Sequence, residues 1–249
     1  MSDVNHVDRR YNQTEEAYAA DDLDVLEEAR RYGEHVFGLF RPFIGRRVLE
    51  VGAGIGTMSR KLVHDADLVV GVEPNPNCRS RLEEAMRGEP KFSLLSCRLE
   101  DCDIDDLKRH ALDTVYCVNV LEHIEDDVAA LTAFRDVIEP GGHVLVYVPA
   151  VQAAYGPMDA ELGHHRRYSK RTLSAAFAAA GLHVTQLKYA NFVGLIGWMY
   201  NSHVTKSRRH SVGQVKLFER FVAPWELPLE RLIAPPIGSS LVAVGTKLA

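Results

Sequence analysis

A glycine-rich segment near the start of the chain constrains the fold more strongly than any other feature. Residues 50–56 read EVGAGIG, at the end of a short apolar run that begins at Val48. This run is too brief for a helix and is typical of a buried strand, whereas apolar residues recur at helical spacing from Thr57 onward. Glycine allows open backbone angles and lets a ligand approach the main chain. A strand, a glycine turn and a helix in this order predict the opening of a nucleotide-binding βαβ unit.

The spacing of the glycines, and the acid before them, narrow the class of ligand. The dinucleotide fingerprint is G-x-G-x-x-G, and here the third glycine, Gly56, comes one residue early. The carboxylate of Glu50 would repel a pyrophosphate, whereas it would attract a cation. The pattern therefore favours a cationic ligand. Two alternative interpretations of the glycine turn are a nucleotide site of an NAD-dependent oxidoreductase and a tight turn that binds no ligand.

Apolar runs and helical patterns alternate along the following part of the chain. Strands are predicted at 68–73, 92–96, 112–118 and 143–149, and a closing pair of strands at 183–189 and 240–246. Such alternation predicts a parallel sheet with right-handed crossovers, in which ligands bind at the carboxyl ends of the strands. Glu73 ends the first of these strands. In doubly wound sheets an acid at this place receives the hydroxyl groups of a ribose.

Three segments resemble those of the class I S-adenosylmethionine (SAM) methyltransferases. They are EVGAGIG at 50–56, VLEHI at 120–124 and IEPGG at 138–142. The resemblance implies an α/β fold with a doubly wound, Rossmann-like seven-stranded sheet. It is mostly parallel with the last strand antiparallel, with helices on both faces and an insertion before the last strand. It also implies SAM as cofactor and methyl transfer to an O or N atom. A non-catalytic SAM-binding or scaffold protein is a further alternative.

The resemblance also implies which residues bind SAM. They are Glu50, Gly52, Ala53, Gly54 and Gly56 in the turn, Glu73 and Pro74 after the second strand, Leu99 and Glu100 after the third, and Asn119 and Val120 after the fourth. Arg98 stands where the family commonly has an acid for the adenine amino group. In our interpretation Glu100 or Asp101 takes that role.

A polar loop after the fifth predicted strand is the expected acceptor site. Residues 150–170 contain D-x-x-x-G-H-x-R-R-Y-S, which is similar to bacterial methyltransferases associated with surface-glycan and glycosyltransferase systems. Arginine suits a phosphate or carboxylate, and histidine can accept a hydroxyl proton. The candidate catalytic residues are His164, His165 and His123, and the candidate substrate-binding residues are Asp159, Arg167, Tyr168 and Tyr32. The expected acceptor is a small molecule, a glycan or a lipid-linked molecule.

No metal site is predicted beside these histidines. In ubiquinone-type O-methyltransferases a related E-x-x-E-H segment binds a divalent cation. Here Asn119 replaces the first acid, while Glu122 and His123 match the rest. His123 is therefore assigned to hydrogen bonding at a helix start or to proton transfer.

The patterns divide the chain into two regions. Residues 1–45 are predicted to form an N-terminal helical cap, with a helix that starts at Thr14, and residues 46–249 the SAM-dependent methyltransferase domain. Within this domain, residues 191–239 form an insertion or lid that is rich in apolar and aromatic side chains. A lid over the acceptor, a homodimer face, peripheral contact with a membrane and additional core are its alternative interpretations.

Composition bears on partners and on cellular location. The formal net charge of −5 over 249 residues argues against nucleic acid as a partner. The four cysteines form no C-x-x-C pair, which predicts reduced thiols in a cytoplasmic protein. The polar first ten residues predict no signal peptide, and the apolar run at 192–200 is too short to span a membrane.

Overall fold

The computed structural model describes residues 27–207 and 211–248 of the chain. The described residues contain a seven-stranded sheet in the order β3-β2-β1-β4-β5-β7-β6. The strands are β1 Arg47–Val51, β2 Leu68–Val72, β3 Phe92–Leu95, β4 Leu112–Val118, β5 Ile138–Pro149, β6 His183–Ala190 and β7 Ser240–Thr246. The predicted helix start at Thr14 lies outside the described residues.

The direction of the strands confirms the predicted mixed sheet. Neighbouring strands pair in parallel from β3 through β5, whereas β7 pairs antiparallel with both β5 and β6. β1 and β4 lie side by side, and the order of the strands reverses between them. Ligands of doubly wound sheets bind at such a switch point, outside the carboxyl ends of the strands. The segments that follow β1, β2 and β4 therefore border one crevice.

Helices cover both faces of the sheet, as predicted. They are α1 Arg30–Phe40, α2 Ser59–Asp65, α3 Pro76–Ala85, α4 Ile104–Lys108, α5 Asp127–Val137, α6 Pro157–Glu161, α7 Lys170–Ala179, α8 Phe192–Tyr200, α9 Val212–Leu217 and α10 Ala223–Leu232. The apolar sides of α1, α2 and α3 pack on one face, and those of α4, α5 and α7 on the other. None of the described helices is long and apolar enough to cross a membrane.

The strands read as apolar runs because both of their faces are buried. In β1, Leu49 and Val51 join the core beneath α5 and α7, whereas Val48 joins the core beneath α1 and α2. β7 alternates in the same way, with Leu241 in the first core and Val242 in the second. Sheets buried on both sides carry such continuous apolar sequences. This explains why β4 and β7 begin and end where the sequence predicts.

β5 is longer than the sequence predicts. The sequence indicates a turn at residues 140–142 and a strand from His143, whereas the strand in the structure begins at Ile138. Ile138 pairs with Leu112, and the register then shifts before His143 pairs with Thr114. The turn residues thus form a bulge within the strand, and the chain does not leave the sheet there.

The insertion between β6 and β7 is helical and packs against α1. The carboxylate of Glu219 accepts hydrogen bonds of 2.9 and 3.0 Å from the backbone N–H groups of Arg31 and Tyr32. Nε2 of His35 lies 3.3 Å from a carboxylate oxygen of Glu230. These contacts join α1 and the insertion, which the sequence analysis treats as separate segments, into one layer.

Candidate functional site

The glycine turn follows β1 at the carboxyl edge of the sheet. Gly52, Gly54 and Gly56 have positive φ angles of 73°, 57° and 87°. Residues with a side chain rarely adopt such angles. The turn is tied to the end of β2, because Oε2 of Glu73 accepts a hydrogen bond of 2.7 Å from the N–H of Gly54. The three glycines therefore allow the backbone conformation in which the turn after β1 contacts the end of β2.

Glu73 directly follows β2 and is buried. Its Oε1 accepts a hydrogen bond of 2.8 Å from the N–H of Asn75, across the half-buried Pro74. Burial raises the pKa of Glu73, while the N–H groups of Asn75 and Gly54 oppose the shift. Each carboxylate oxygen accepts one of these bonds and keeps a lone pair. Glu73 can therefore still accept hydrogen bonds from the hydroxyl groups of a ribose.

A second carboxylate, Glu50, lies inside β1 just before the turn and is only 3% exposed. Its Oε2 accepts a hydrogen bond of 2.6 Å from the hydroxyl of Ser59, at the start of α2. Burial raises the pKa of Glu50 to about 8, against the opposing effect of that hydrogen bond. No cationic side chain among residues 27–207 and 211–248 forms an ion pair with it. A buried carboxylate of this kind is suited to a cationic ligand.

The end of β4 lies opposite the turn and carries two more candidate cofactor residues. Asn119 has a φ of 54°, and its N–H donates to the carbonyl of Tyr147 at 2.8 Å. Val120 packs directly on the turn, since a Cβ at Gly52 would overlap its side chain. Ala53, within the turn, is buried in the core beneath α1 and α2. The structure thus brings these residues together, and their contact with SAM stays a prediction.

The candidate adenine segment follows β3 and contains a disulfide. Leu99 is buried, while Glu100 is exposed and lies 3.8 Å from the guanidinium of Arg98. Cys97 and Cys102 are joined by a disulfide, so the prediction of four reduced cysteines is wrong for this pair. The 3-10 turn between them brings their Cα atoms to 6.3 Å, within reach of a disulfide. A search for C-x-x-C spacing does not detect such a pair.

The loop at 150–170 is organised around the buried Asp159. Its Oδ1 accepts hydrogen bonds from Nδ1 of His164 at 2.9 Å and from Nε of Arg167 at 2.8 Å. Burial would raise the pKa of Asp159, but the two partners together lower it. Since an ionised carboxylate only accepts, Nδ1 of His164 carries the proton. Nε2 is therefore the ring nitrogen of His164 that can accept a second proton.

Glu122 approaches His164 from the opposite side. Its Oε1 lies 4.0 Å from Nε2 of His164, and its carbonyl accepts a hydrogen bond of 2.8 Å from the N–H of His165. Burial raises the pKa of Glu122 to about 7, while His164 opposes the shift. Both carboxylate oxygens are buried and lack a hydrogen-bond partner within the described part of the chain. Glu122 can therefore stabilise a positive charge on His164.

The candidate catalytic histidines form one cluster. The rings of His123 and His164 meet edge to face with centroids 4.7 Å apart, and His165 is exposed next to them. Partial loss of hydration, followed by the nearby His164 and His165, lowers the pKa of His123, although its side chain is exposed to solvent. Glu122, His123 and His164 each offer one metal-ligand atom, all within 4.8 Å of one another. The absence of a metal site thus stays a prediction.

Arg167 and Tyr168 are buried and hold the loop in place. The guanidinium of Arg167 lies 4.3 Å from the ring centroid of Trp198 in α8, and it donates to the carbonyl of Ala150 at 3.1 Å. The hydroxyl of Tyr168 donates to Oδ2 of Asp127 at 2.8 Å. These polar groups of both residues are used within the protein. Their contact with a substrate stays a prediction.

Replacing Tyr168 with phenylalanine tests whether this residue has a structural role or binds the acceptor. We expect a loss of about 1 kcal/mol in the free energy of unfolding, the usual net value of one hydrogen bond, because Asp127 keeps its ion pair with Arg166. Urea denaturation measures the loss, with the exposed Tyr200→Phe as the matched control. Unchanged stability together with slower methyl transfer would assign Tyr168 to the acceptor instead.

Tyr32, the remaining substrate candidate, lies in α1, within the layer that α1 forms with the insertion. Its hydroxyl lies 2.7 Å from that of Tyr147, and its ring meets Phe218 edge to face.

Two contributors to the site were missed by the sequence analysis. The hydroxyl of Ser59 follows the last glycine by less than one helical turn, which is a usable signal. Trp198 carries no such signal, because only the fold brings the insertion to the loop.

Comparison with known proteins identifies the family to which this site belongs. The family model described as a methyltransferase domain matches residues 11–187, well over half of the chain. The chain belongs to the class I SAM-dependent methyltransferases. SAM is the cofactor of this family, as the sequence motifs imply.

Individual curated relatives are similar to less than half of the methyltransferase. The ubiquinone biosynthesis O-methyltransferase of Vibrio atlanticus is 31% identical over 113 residues, which cover 45% of this chain and 45% of that protein. The chain thus spans less than half of the length of the curated relatives it matches.

Two solved structures share the fold of nearly the whole chain. The putative methyltransferase of Haloferax volcanii, in complex with the Trm112 activator, has a TM-score of 0.66 at 17% identity and covers 96% of this chain and 100% of its own. The N-methyltransferase NodS of Bradyrhizobium japonicum, in complex with S-adenosyl-L-homocysteine, has a TM-score of 0.62 at 14% identity. It covers 94% of this chain and 97% of its own.

Proposed function

We propose that this methyltransferase moves a methyl group from SAM to an oxygen or nitrogen atom of a small-molecule, glycan or lipid-linked acceptor. The observation that carries this proposal is the buried carboxylate of Glu50 beside the glycine turn, with a pKa raised to about 8. SAM carries a sulfonium and an ammonium group, and it supplies an electrophilic methyl group when it is bound. A carboxylate kept from water without a cationic partner among the described residues favours such a ligand over an anionic nucleotide.

The residues at the sheet edge divide the work of binding. Glu50 orients the ammonium group of the cofactor through main chain or water, and Glu73 accepts hydrogen bonds from the ribose. Main chain at the half-buried Gly54 can be approached without meeting a Cβ. The segment at Leu99 and Glu100 serves the adenine. Each of these roles rests on position in the crevice.

The histidine cluster provides a base for the acceptor. Asp159 fixes the ring of His164 through Nδ1, so that Nε2 can accept the proton that leaves the acceptor oxygen or nitrogen. The carboxylate of Glu122, 4.0 Å from Nε2, stabilises the positive charge that results. Asp159 and Glu122 thus act on the acceptor through His164. His123 and His165 remain alternative bases in the same cluster.

Labelled SAM tests the reaction directly. The purified protein is incubated with methyl-labelled SAM and a fractionated cell extract, and calorimetry measures SAM binding in parallel. Transfer of label to one fraction supports the proposal and isolates the acceptor. SAM binding without transfer to any fraction would favour the non-catalytic alternative. Absence of SAM binding would overturn the assignment, and binding of NAD instead would restore the oxidoreductase alternative.

Replacing His164 with asparagine is expected to slow methyl transfer about a hundredfold, a usual contribution of one general base. The asparagine amide can still donate to Asp159, so the loop should keep its structure while Nε2 is lost. SAM affinity is expected to stay unchanged, and the exposed His183→Asn is the control. Loss of SAM affinity would remove His164 from the acceptor side. Loss of wild-type activity on adding a chelator would make His164 a metal ligand.

A further inference from the structure

The outer surface of the insertion carries two exposed apolar rows. On α8 and the turn after it, and on the segment from α9 through α10, apolar side chains recur every four residues, which places them on one side of each helix. The first row is Phe192, Ile196, Tyr200 and Val204, and the second is Leu217, Phe221, Trp225, Leu229 and Ile233. Exposure is high, at 59% for Ile196 and 55% for Trp225. Contiguous exposed apolar surface on a folded protein usually marks a binding face.

Hydrogen bonds place the two helical segments side by side. At the start of α8, the N–H of Phe192 donates to Glu230 at 3.0 Å and that of Val193 to Glu226 at 2.6 Å. At the far end, the side-chain amide of Asn201 donates to Oε1 of Gln214 at 3.0 Å. The segments are therefore fixed to each other at both ends. The two apolar rows therefore lie on segments that are tied to each other.

The charges of the insertion are sorted by sign. Its acids within 192–207 and 211–239 are Glu219, Glu226 and Glu230, and all three are buried. They bind backbone N–H groups of α1 and α8, and Glu230 also pairs with His35. Its bases within the same ranges are Lys206, Lys216, Arg220 and Arg231, and all four are exposed. Lys216 and Arg220 directly precede Leu217 and Phe221 of the second row, although Lys216 also lies 3.7 Å from Glu28. Arg231 points the other way and packs over Gly38 of α1. The outer surface is thus cationic, although the formal net charge of the whole chain is −5.

We propose that this surface docks the protein on an anionic phospholipid bilayer. Apolar side chains beside lysine and arginine are what a helix needs to lie in a membrane interface with negative lipids. Tyrosine and tryptophan, here Tyr200 and Trp225, favour the headgroup region. A second copy of the chain is a poorer occupant, because a symmetric contact would bring these cationic side chains against their own kind.

The docking surface is connected to the acceptor loop. The indole of Trp198 donates to the carbonyl of Ala154 at 3.1 Å, and the hydroxyl of Ser202 donates to the same carbonyl at 3.1 Å. Trp198 also stacks on Arg167. Because α8 is fixed to this loop, docking would hold the loop at the bilayer surface. Docking itself does not depend on methyl transfer, so it can be tested without SAM.

Vesicle sedimentation tests the proposal with the full chain. Vesicles consist of phosphatidylcholine alone or of phosphatidylcholine with an equal amount of phosphatidylglycerol. We expect binding to the anionic vesicles, little binding to the neutral ones, and weakening as salt is raised. Phe221→Ser with Trp225→Ser should weaken binding about tenfold or more, because two apolar side chains no longer insert. Lys216→Gln with Arg220→Gln should weaken it about twenty-five-fold, roughly fivefold per charge near the surface.

Matched controls separate the surface from general effects of substitution. Leu248→Ser removes an exposed apolar side chain outside the insertion, and Arg87→Gln removes an exposed charge outside it. Both should bind as the wild type does, and thermal melting verifies that every variant is folded. Equal binding to both kinds of vesicle, or to neither, would overturn the proposal. A wild-type dimer in light scattering that Phe221→Ser with Trp225→Ser dissociates, without any vesicle binding, would assign the surface to a second copy.

Discussion

Replacing Glu73 with alanine is expected to weaken SAM binding about a thousandfold. In the proposed complex, its carboxylate accepts hydrogen bonds from two ribose hydroxyls. Hydrogen bonds to a charged group contribute about 1.5–3 kcal/mol each, and every 1.4 kcal/mol corresponds to a factor of ten. The substitution also leaves the N–H groups of Gly54 and Asn75 without their acceptor. The glycine turn therefore loses its tie to the end of β2 at the same time.

Calorimetry with SAM measures this effect, and Glu84→Ala, at an exposed acid of α3, is the control. A second variant, Glu73→Gln, keeps an oxygen for Asn75 but loses the charge, and we expect an intermediate affinity. Thermal melting distinguishes a folded protein that has lost the ribose acceptor from one whose turn has collapsed. Unchanged SAM affinity in a folded Glu73→Ala protein would show that the cofactor does not lie at this edge of the sheet.

The parts of the fold that could be predicted are those determined by local sequence. β4 and β7 are buried on both faces, so their apolar runs fix their ends to the residue. β5 differs because a bulge opposite Leu112 keeps the Pro140-Gly141-Gly142 segment paired, and a bulge depends on the neighbouring strand. The insertion differs more, since the N-terminus of α8 is capped by carboxylates from α10. Its helices therefore depend on contacts that are distant in sequence.

The same distinction applies to the candidate site. Glu50 and Glu73 could be placed because each lies at a fixed position relative to a glycine turn or a strand end. Asp159 and Arg167 could be singled out, but nothing in the sequence shows that they pair with each other and with His164. Ion pairs of this kind form across a loop whose path is set by packing. The position of a residue relative to a motif predicts whether it borders the crevice, whereas its hydrogen-bond and ion-pair partners are seen only in the folded structure.

Replacing Glu50 with glutamine is expected to stabilise the protein by a few kcal/mol at pH 8. Burial raises the pKa of this carboxyl group from 4.5 to about 8, and each unit corresponds to about 1.4 kcal/mol. Well below pH 4.5 the carboxyl group is protonated in both the folded and the unfolded state, so its burial does not lower the free energy of unfolding there. As pH rises toward 8, the unfolded chain ionises there while the folded protein resists, so wild-type stability falls. Glutamine does not ionise, and its side chain can still accept the hydrogen bond from Ser59.

The same substitution should weaken SAM binding, because the positive ligand loses its carboxylate. In the wild type, a cation favours the ionised form of Glu50, so SAM affinity should rise with pH up to about 8. The Glu50→Gln protein should lose that part of the rise, while titration of the SAM amine affects both proteins equally. Urea denaturation and calorimetry at pH 5 and pH 8 measure the two effects, with the exposed Glu84→Gln as the control. A variant less stable than the wild type at pH 8, or one that binds SAM equally well, would contradict the view that this site keeps a costly buried charge in order to bind a cation.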